Sequence, residues 1–225
     1  MQVVFKRYES KYLINKEQYV RLLPIIKEKM KPDKYGLSTI CNIYYDTDSF
    51  LIIRNSIEKP LYKEKLRLRN YNLSNQYFLE LKKKYKSVVY KRRIALDKDD
   101  MYSFLNNLKP TNQIQKEIVY FYEFYKNIKE KMFISYKREA YCGENELRIT
   151  FDTNLLYRNY DLNLEKGPYG KEIIPNDQIL MEIKALNAIP LWLTNFLTNE
   201  RIFKTSFSKY GRAYLSMMKG DEIYV

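Results

Sequence analysis

The 225-residue sequence predicts an α+β fold in which eight antiparallel strands close into a barrel, a tunnel, with helices flanking it. Two observations support this prediction. Eight short segments alternate apolar with charged or polar residues, which is the period-two pattern of strands that bury one face. Amphipathic segments of helical period lie between several of them. Eight strands are enough to close a barrel.

The most informative alternation is the run KLRLR, where Lys65, Arg67 and Arg69 share one face of a strand and Leu66 and Leu68 share the other. A solvated outer face is the ordinary explanation of any single strand of this kind. The pattern repeats, however, in FLELKKK, YKREA, ELRITFD and LMEIKA, and the polar positions are filled mostly by Arg and Lys. This repetition favours a cationic lumen inside the barrel.

The elements are predicted in order along the chain. Strands are expected at residues 3–13, 39–46, 62–71, 76–85, 87–96, 132–141, 146–153 and 179–185. A helix at 16–31 begins with a capping box of Asn15 and Gln18, and Pro24 is expected to kink it. A second helix starts at Asp97, residues 115–131 suit either a helix or a strand, and residues 189–197 form a short apolar helix.

One domain covering residues 1–225 is expected, because no linker rich in Pro, Gly or Ser divides the chain and 45% of its residues are apolar. The sequence contains no apolar stretch of the length that spans a bilayer, and its first residues, MQVVFKRYESKYLI, are too charged for a signal peptide. We therefore expect a cytoplasmic protein without a membrane span.

The charge balance indicates a polyanionic partner. The chain has 40 Lys and Arg against 27 Asp and Glu, a net charge of +13 and a pI near 9.4. Such a field attracts nucleic acid, an anionic membrane surface or polyphosphate. Arginines in the middle of strands match phosphate oxygens bidentately. DNA is not expected, since a duplex needs an open groove and single strands usually need stacking platforms; a thin phosphate chain suits a lumen better.

The chain contains no histidine, which excludes Ser-His-Asp and Cys-His catalysis and His-ligated zinc. It also lacks the glycine-rich phosphate-binding motifs of P-loop and Rossmann proteins. The remaining metal ligands are carboxylates, and oxygen ligands suit Mg²⁺ or Mn²⁺. The candidates are Glu9, Glu80, Glu146, Asp152 and Glu182.

Eight short motifs in a fixed order carry a family resemblance: YESKYLI, KLRLRNY, FLELKKK, VVYKRRI, YKREAY, LRITFDT, LMEIKA and FSKYG. Together they resemble the catalytic domain of the vacuolar transporter chaperone (VTC) complex, a polyphosphate polymerase of the triphosphate tunnel metalloenzyme superfamily. The resemblance runs from Glu9 to Gly211. It is to the bacterial stand-alone type, without the membrane spans and phosphate-sensing region of the eukaryotic complexes.

The resemblance implies a set of site residues. Its catalytic, phosphate-binding cations are Lys11, Arg67, Arg69, Lys82, Lys91, Arg93, Arg138, Arg148 and Lys209. The residues that it implies for substrate binding are Tyr136, Lys184, Lys204 and Ser208. Glu182 is the implied metal ligand, with Glu9 and Glu80 as further candidates. Lys65 is expected at the rim.

The resemblance also implies an activity and its partners. A polymerase would transfer the γ-phosphate of ATP to a growing inorganic polyphosphate chain, started on pyrophosphate or triphosphate, with Mn²⁺ or Mg²⁺ as cofactor. A tripolyphosphate hydrolase of the same superfamily is an alternative, and a non-catalytic module that binds polyphosphate or RNA is another. The sequence leaves open the chain length, the oligomeric state and any membrane-protein partner.

Overall fold

The computed structural model describes residues 7–86, 88–186 and 188–221. These residues form six α-helices and eleven β-strands. In chain order they are β1 (Arg7–Asn15), α1 (Lys16–Lys29), β2 (Lys31–Pro32), β3 (Ser38–Asp46), α2 (Leu51–Ile57), β4 (Tyr62–Tyr71), β5 (Gln76–Tyr85), β6 (Val88–Asp97), α3 (Lys98–Asn107), α4 (Gln113–Tyr125), β7 (Lys129–Cys142), β8 (Arg148–Arg158), β9 (Lys171–Glu172), β10 (Gln178–Leu186), α5 (Leu191–Asn199), β11 (Lys204–Thr205) and α6 (Lys209–Asp221).

The prediction of a closed eight-stranded barrel is wrong, although the α+β class and the antiparallel sheet are confirmed. Eleven strands are present, and in the described residues their pairing order begins at β11 and ends at β6 without closing. The eight predicted strands all exist, and the three additional ones have two residues each. Two residues are too few to show an alternating pattern, and strand alternation does not encode closure. The predicted positions 3–6 and 87 lie outside the described residues.

The helix predictions are confirmed with two omissions. Asn15 and Gln18 form the expected capping box: the Asn15 Oδ1 accepts from the Gln18 backbone N–H at 2.8 Å, and the Gln18 Oε1 accepts from that of Asn15 at 3.0 Å. The ambiguous stretch 115–131 divides into the end of α4 and the start of β7. Helices α2 and α6 were not predicted. The residue before α2, Phe50, is in the left-handed region and makes no side-chain cap, so α2 carries no start signal.

The chain folds into two compact units, each assembled from three stretches of sequence. The first unit consists of Met1–Ser38, Tyr136–Leu155 and Ile174–Phe207, and the second of Thr39–Ser135, Leu156–Ile173 and Ser208–Val225. Each unit has a hydrophobic core of its own. Among the described residues no helix is long and apolar enough to cross a bilayer.

In the first unit, β1 pairs with β11 on one side and β10 on the other, and β10 pairs with β8. Lys11 lies opposite Glu182, and Glu182 lies opposite Thr150. Because side chains alternate, these polar residues share one face. The other face, with residues such as Tyr12 and Met181, packs in the core with α1 and α5.

In the second unit, β3, β4, β5 and β6 pair in that order. Arg67 on β4 lies opposite Tyr44 on β3 and Glu80 on β5, and Glu80 lies opposite Arg93 on β6. The alternate positions include Leu66, fully buried in a core with α3 and α4. The sequence pattern therefore predicted the two faces of these strands correctly.

Candidate active site

A single buried carboxylate organises the cationic face of the second unit. Glu80 is 1% exposed, and four cations surround its two oxygens. Arg67 contacts Oε2 through Nε at 2.7 Å and Nη2 at 2.6 Å. Arg93 donates from Nε to Oε1 at 2.6 Å, Lys91 lies 3.0 Å from Oε1, and Arg69 lies 3.7 Å from Oε2. A carboxylate at this depth needs such partners, since an unpaired buried charge is costly. These five residues are called the Glu80 cluster below.

The electrostatics of the Glu80 cluster keep its carboxylate ionised. Burial alone raises the pKa of Glu80, but the positive charges of Arg67, Arg69, Lys91 and Arg93 outweigh it and lower the pKa well below its usual range. Burial also lowers the pKa of the Lys91 ammonium, although Glu80 opposes this change. Four cations against one anion leave the face strongly positive, which suits an anionic ligand.

Hydrogen bonds to neutral groups hold the arginines in fixed orientations. The Tyr44 hydroxyl accepts from Arg67 Nη1 at 3.1 Å, and Asn42 Oδ1 accepts from Arg69 Nε at 2.8 Å. Asn42 is itself held, because its amide donates to the backbone carbonyl of Ile134 at 3.0 Å. The guanidinium planes are thus fixed before any ligand binds.

Tyr71 joins two of these arginines. Its hydroxyl oxygen accepts from Arg69 Nη1 at 3.1 Å and from Arg93 Nη2 at 3.2 Å. Burial raises the pKa of Tyr71, but the two arginines outweigh it and lower the pKa. Tyr71, Asn42 and Tyr44 are not among the site residues predicted from the sequence. A signal for Tyr71 was present, since it continues the alternation of Arg67 and Arg69 by one further step.

Lysines continue the strand face of the Glu80 cluster toward the start of β4. Lys65, Lys82 and Lys91 lie opposite one another on β4, β5 and β6. Lys65 Nζ donates to the Ser208 hydroxyl at 2.8 Å. That hydroxyl also accepts from the backbone N–H of Gly211 at 3.1 Å, in the manner of a helix N-cap for α6. Lys65, expected only at a rim, therefore contacts a predicted substrate-binding residue.

In the first unit, Arg138 is bound bidentately by a fully buried acid. Its Nε and Nη2 donate to the two carboxylate oxygens of Asp152 at 2.6 and 2.7 Å, and Asp152 is 0% exposed. The guanidinium lies over the ring of Tyr136, 5.2 Å from its centroid. Burial lowers the pKa of Arg138, but Tyr136, Asp152 and Glu182 outweigh it and raise the pKa well above its usual value. Arg138 is therefore charged and fixed in place.

The predicted metal ligand Glu182 lies in a mixed-charge group on the same sheet. Lys184 Nζ is 2.9 Å from Glu182 Oε1 and 3.8 Å from Glu9 Oε2. Lys11 Nζ is 3.7 Å from Glu9 Oε1 and donates to the backbone carbonyl of Phe207 at 3.0 Å. Lys184 thus connects the two carboxylates.

The fit of a metal can be tested on these contacts. Within the described ranges, no group of three or more acidic, Cys or His residues could hold a metal ion. Mg²⁺, however, is usually bound through one or two carboxylates together with substrate phosphates. Glu182 has one oxygen 2.9 Å from Lys184, and the oxygens of Glu9 lie 3.7 and 3.8 Å from lysines, so these two carboxylates fit that donor set. Both oxygens of Glu80 are engaged by cations instead, so its contacts favour a counter-ion role; its assignment as a metal ligand stays a prediction.

The family is decided by a match over nearly the whole chain. The model of the VTC domain matches residues 6–218. This chain belongs to the VTC domain family. Among curated protein sequences, none matches it.

Solved structures show the fold of this VTC domain. A proposed adenylate cyclase from Bacillus halodurans superposes with a TM-score of 0.58 at 15% identity, over 89% of this chain and 92% of that one. A proposed adenylyl cyclase from Hippeastrum is described as having a dominant triphosphatase activity. It superposes with a TM-score of 0.57 at 14% sequence identity, over 94% of this chain and 96% of that one. A protein from Pyrococcus horikoshii OT3 superposes with a TM-score of 0.54 at 16% sequence identity, over 94% of this chain and 99% of that one. The VTC domain thus shares the fold of these proteins.

Three predicted cations of the VTC domain lie outside the groups described above. Arg148 on β8 contacts Asp33, with its Nη2 2.7 Å from Oδ2. Lys204 is exposed on β11, opposite Tyr12 of β1. Lys209 is the first residue of α6 and follows Ser208. Their roles in substrate binding stay predictions.

Proposed function

We propose that this VTC domain is a polyphosphate polymerase, which transfers the γ-phosphate of ATP to the terminal phosphate of an inorganic polyphosphate chain. The observation that carries the proposal is the Glu80 cluster, in which one buried carboxylate fixes four cations on one strand face. Such a face suits a ligand with several closely spaced anionic oxygens. Membership of the VTC family supports phosphate chains as that ligand.

Phosphoryl transfer needs positioning and charge neutralisation, and each unit contains cations that its own residues hold in place. Arg67, Arg69 and Arg93 would bind phosphate oxygens through forks that Glu80, Asn42, Tyr44 and Tyr71 already orient. Arg138, whose guanidinium is held by the Asp152 carboxylate, would also bind phosphate oxygens. The attacking group is the terminal phosphate of the chain, which is already an anion; its oxygen bonds to the γ-phosphorus while the bond from that phosphorus to the bridging oxygen breaks and ADP leaves. The reaction therefore requires no histidine base.

The proposed cofactor is Mn²⁺ or Mg²⁺. When bound, a divalent ion polarises the transferred phosphoryl group and neutralises its developing charge. Glu182 and Glu9 are the residues that would hold it. Lys184, 2.9 Å from Glu182, would then be available to bind a phosphate oxygen.

A product assay tests the polymerase. The purified protein is incubated with ATP and Mn²⁺ and primed with pyrophosphate, and the products are separated on a gel. Long phosphate chains are expected. Turnover of ATP that releases only orthophosphate would contradict polymerisation.

A second assay separates catalysis from binding. Glu182→Gln is expected to abolish turnover while triphosphate binding survives. Glu28→Gln, at an exposed residue of α1, is the matched control and should retain full activity. Triphosphate binding by a wild-type protein that turns over neither ATP nor triphosphate would instead identify a non-catalytic module, and stronger binding of RNA than of polyphosphate would make RNA its ligand.

A tripolyphosphate hydrolase is the second candidate, and Glu9 is the observation that favours it. Its side chain is 39% exposed and shares Lys184 with Glu182, and this exposure supports it as a candidate general base for water. In that case triphosphate is cleaved to diphosphate and orthophosphate, no chains form, and Glu9→Gln lowers the hydrolysis rate. For a polymerase, the same variant would lower the rate of chain growth instead.

A further inference from the structure

The second unit contains a cavity that the proposed reaction does not use. Its volume is about 440 Å³, within the range of small-molecule sites. Its polar groups come from Tyr45, Tyr102, Asn106, Tyr122, Lys129 and Glu130, and Leu105 is among its apolar lining residues. Tyr45 belongs to the apolar side of β3, whereas its neighbour Tyr44 contacts Arg67. The cavity therefore lies on the opposite side of these strands from the Glu80 cluster.

Glu130 places a carboxylate in this cavity, and the Lys129 ammonium that also lines the cavity is paired with Asp48 instead. The Tyr45 hydroxyl donates to its Oε1 at 3.2 Å. Within the part of the chain that the structure describes, no Lys or Arg pairs with Glu130. The adjacent Lys129 is directed to Asp48, with its Nζ 3.0 Å from Oδ2.

Burial and the charge of Glu130 shift the pKa values of Glu130 itself and of two tyrosines beside it. Burial raises the pKa of Glu130, and the hydrogen bond from Tyr45 opposes the change. Burial, together with Tyr77 and Glu130, raises the pKa of Tyr102 to about 12. Burial and the charge of Glu130 also raise the pKa of Tyr122. Three neutral phenols thus surround one carboxylate, and a positive charge in the cavity would be stabilised by all four groups.

The aromatic rings add a second attraction for a cation. Tyr45 and Tyr122 pack edge to face with ring centroids 6.2 Å apart. The faces of tyrosine rings attract ammonium groups, and this interaction strengthens when water is excluded. Tyr45 is 5% exposed. Rings with a nearby carboxylate are the combination that recognises an organic ammonium ion.

Other ligands suit the cavity less well. Mg²⁺ and Ca²⁺ need several oxygen ligands, and in the described ranges no three acidic groups are clustered for a metal. A phosphate would be repelled by Glu130. We propose that this cavity binds a small organic ammonium ion, either a protonated primary amine or a quaternary ammonium ion, at a site separate from the phosphate-binding cations.

Choline and its uncharged isostere 3,3-dimethylbutan-1-ol test the proposal by calorimetric titration of the whole protein. Choline is expected to bind at least about ten-fold more tightly than the alcohol, because only choline gains the carboxylate and cation–π interactions. Glu130→Gln should remove about ten-fold of the choline affinity. Glu123→Gln, at an exposed acid of α4, is the matched control and should bind choline like the wild type.

Tyr122→Leu provides an independent arm if Glu130→Gln fails to fold, since it removes a ring and retains an apolar side chain. It should weaken choline binding and leave the alcohol unaffected. Equal affinities for choline and the alcohol, or no saturable binding of either choline or n-butylammonium, would overturn the proposal. So would displacement of choline by inorganic triphosphate, because the two sites would then not be separate.

Discussion

Arg67 and Glu80 lie directly opposite each other on β4 and β5, and Arg67 Nε and Nη2 both contact the same oxygen of Glu80, at 2.7 and 2.6 Å. The structure thus buries an anion of its own among the cations expected to bind substrate. This internal anion lets three arginines and a lysine approach one another and fixes their orientation. The cations are preorganised for a ligand, which avoids reorganisation during binding.

The first prediction concerns Glu80→Gln, which removes a charge and keeps the size of the side chain. Removing one partner from a buried ionic network typically costs about 3–5 kcal/mol. We expect a loss of this size in the free energy of unfolding measured with urea. Glu117→Gln, which removes the anion from the exposed pair with Arg92, is the control and should cost at most about 1 kcal/mol. Equal losses in the two variants would show that the Glu80 cluster does not stabilise the fold.

The second prediction is the pH dependence of that loss. The four cations lower the pKa of Glu80 in the folded state, so its contribution is fully present above the unfolded pKa of about 4.3 and is lost as the pH falls toward the folded value. The difference in unfolding free energy between wild type and Glu80→Gln should be constant from pH 7 to about pH 5 and shrink below about pH 4. A difference that grows in acid would contradict a lowered pKa.

The third prediction concerns Arg138→Lys. Lysine keeps the charge but cannot make the two parallel bonds to buried Asp152. Loss of one charged hydrogen bond should destabilise the protein by about 1.5–3 kcal/mol, and under the proposed function the rate of phosphoryl transfer should fall about ten-fold or more. Both are measurable, by urea unfolding and by the product assay.

Arg21→Lys is the matched control for Arg138→Lys. Arg21 makes the same bidentate contact with Glu200, at 2.8 and 2.6 Å, but its side chain is 51% exposed. We expect at most about 1 kcal/mol of destabilisation and unchanged activity. If both variants behave alike, burial of the Arg138 pair has no special role.

The fourth prediction concerns Tyr71→Phe, which removes the acceptor shared by Arg69 and Arg93. The two guanidinium groups lose an orienting contact, so under the proposed function the rate of phosphoryl transfer should fall about ten-fold, with about 1–3 kcal/mol of destabilisation. Tyr62→Phe on the same strand removes a bond to Glu64 from a tyrosine that is 47% exposed and should leave the rate unchanged. A Tyr71→Phe enzyme as active as wild type would exclude a positioning role for this hydroxyl.

Much of the fold was predictable because it depends on local patterns. Alternation in KLRLR placed Leu66 and Leu68 in a core and Arg67 and Arg69 on the other face, and the structure confirms both placements. The capping box at Asn15 located the start of α1. The two-residue strands, the short helix α2 and helix α6 were missed, and closure of the sheet was wrongly expected.

The sequence by itself determined which residue types share a strand face, since that follows from the period-two geometry of each strand. Only the tertiary structure decided which basic side chains neutralise which acidic side chain. Arg67 and Arg93 are each 13 residues from Glu80 in sequence, and the register of β4, β5 and β6 brings both to one carboxylate. Register depends on turn geometry and on the burial of whole faces. For that reason, the sequence presented Glu80 as a candidate metal ligand but did not show the four cations that contact it in the folded chain.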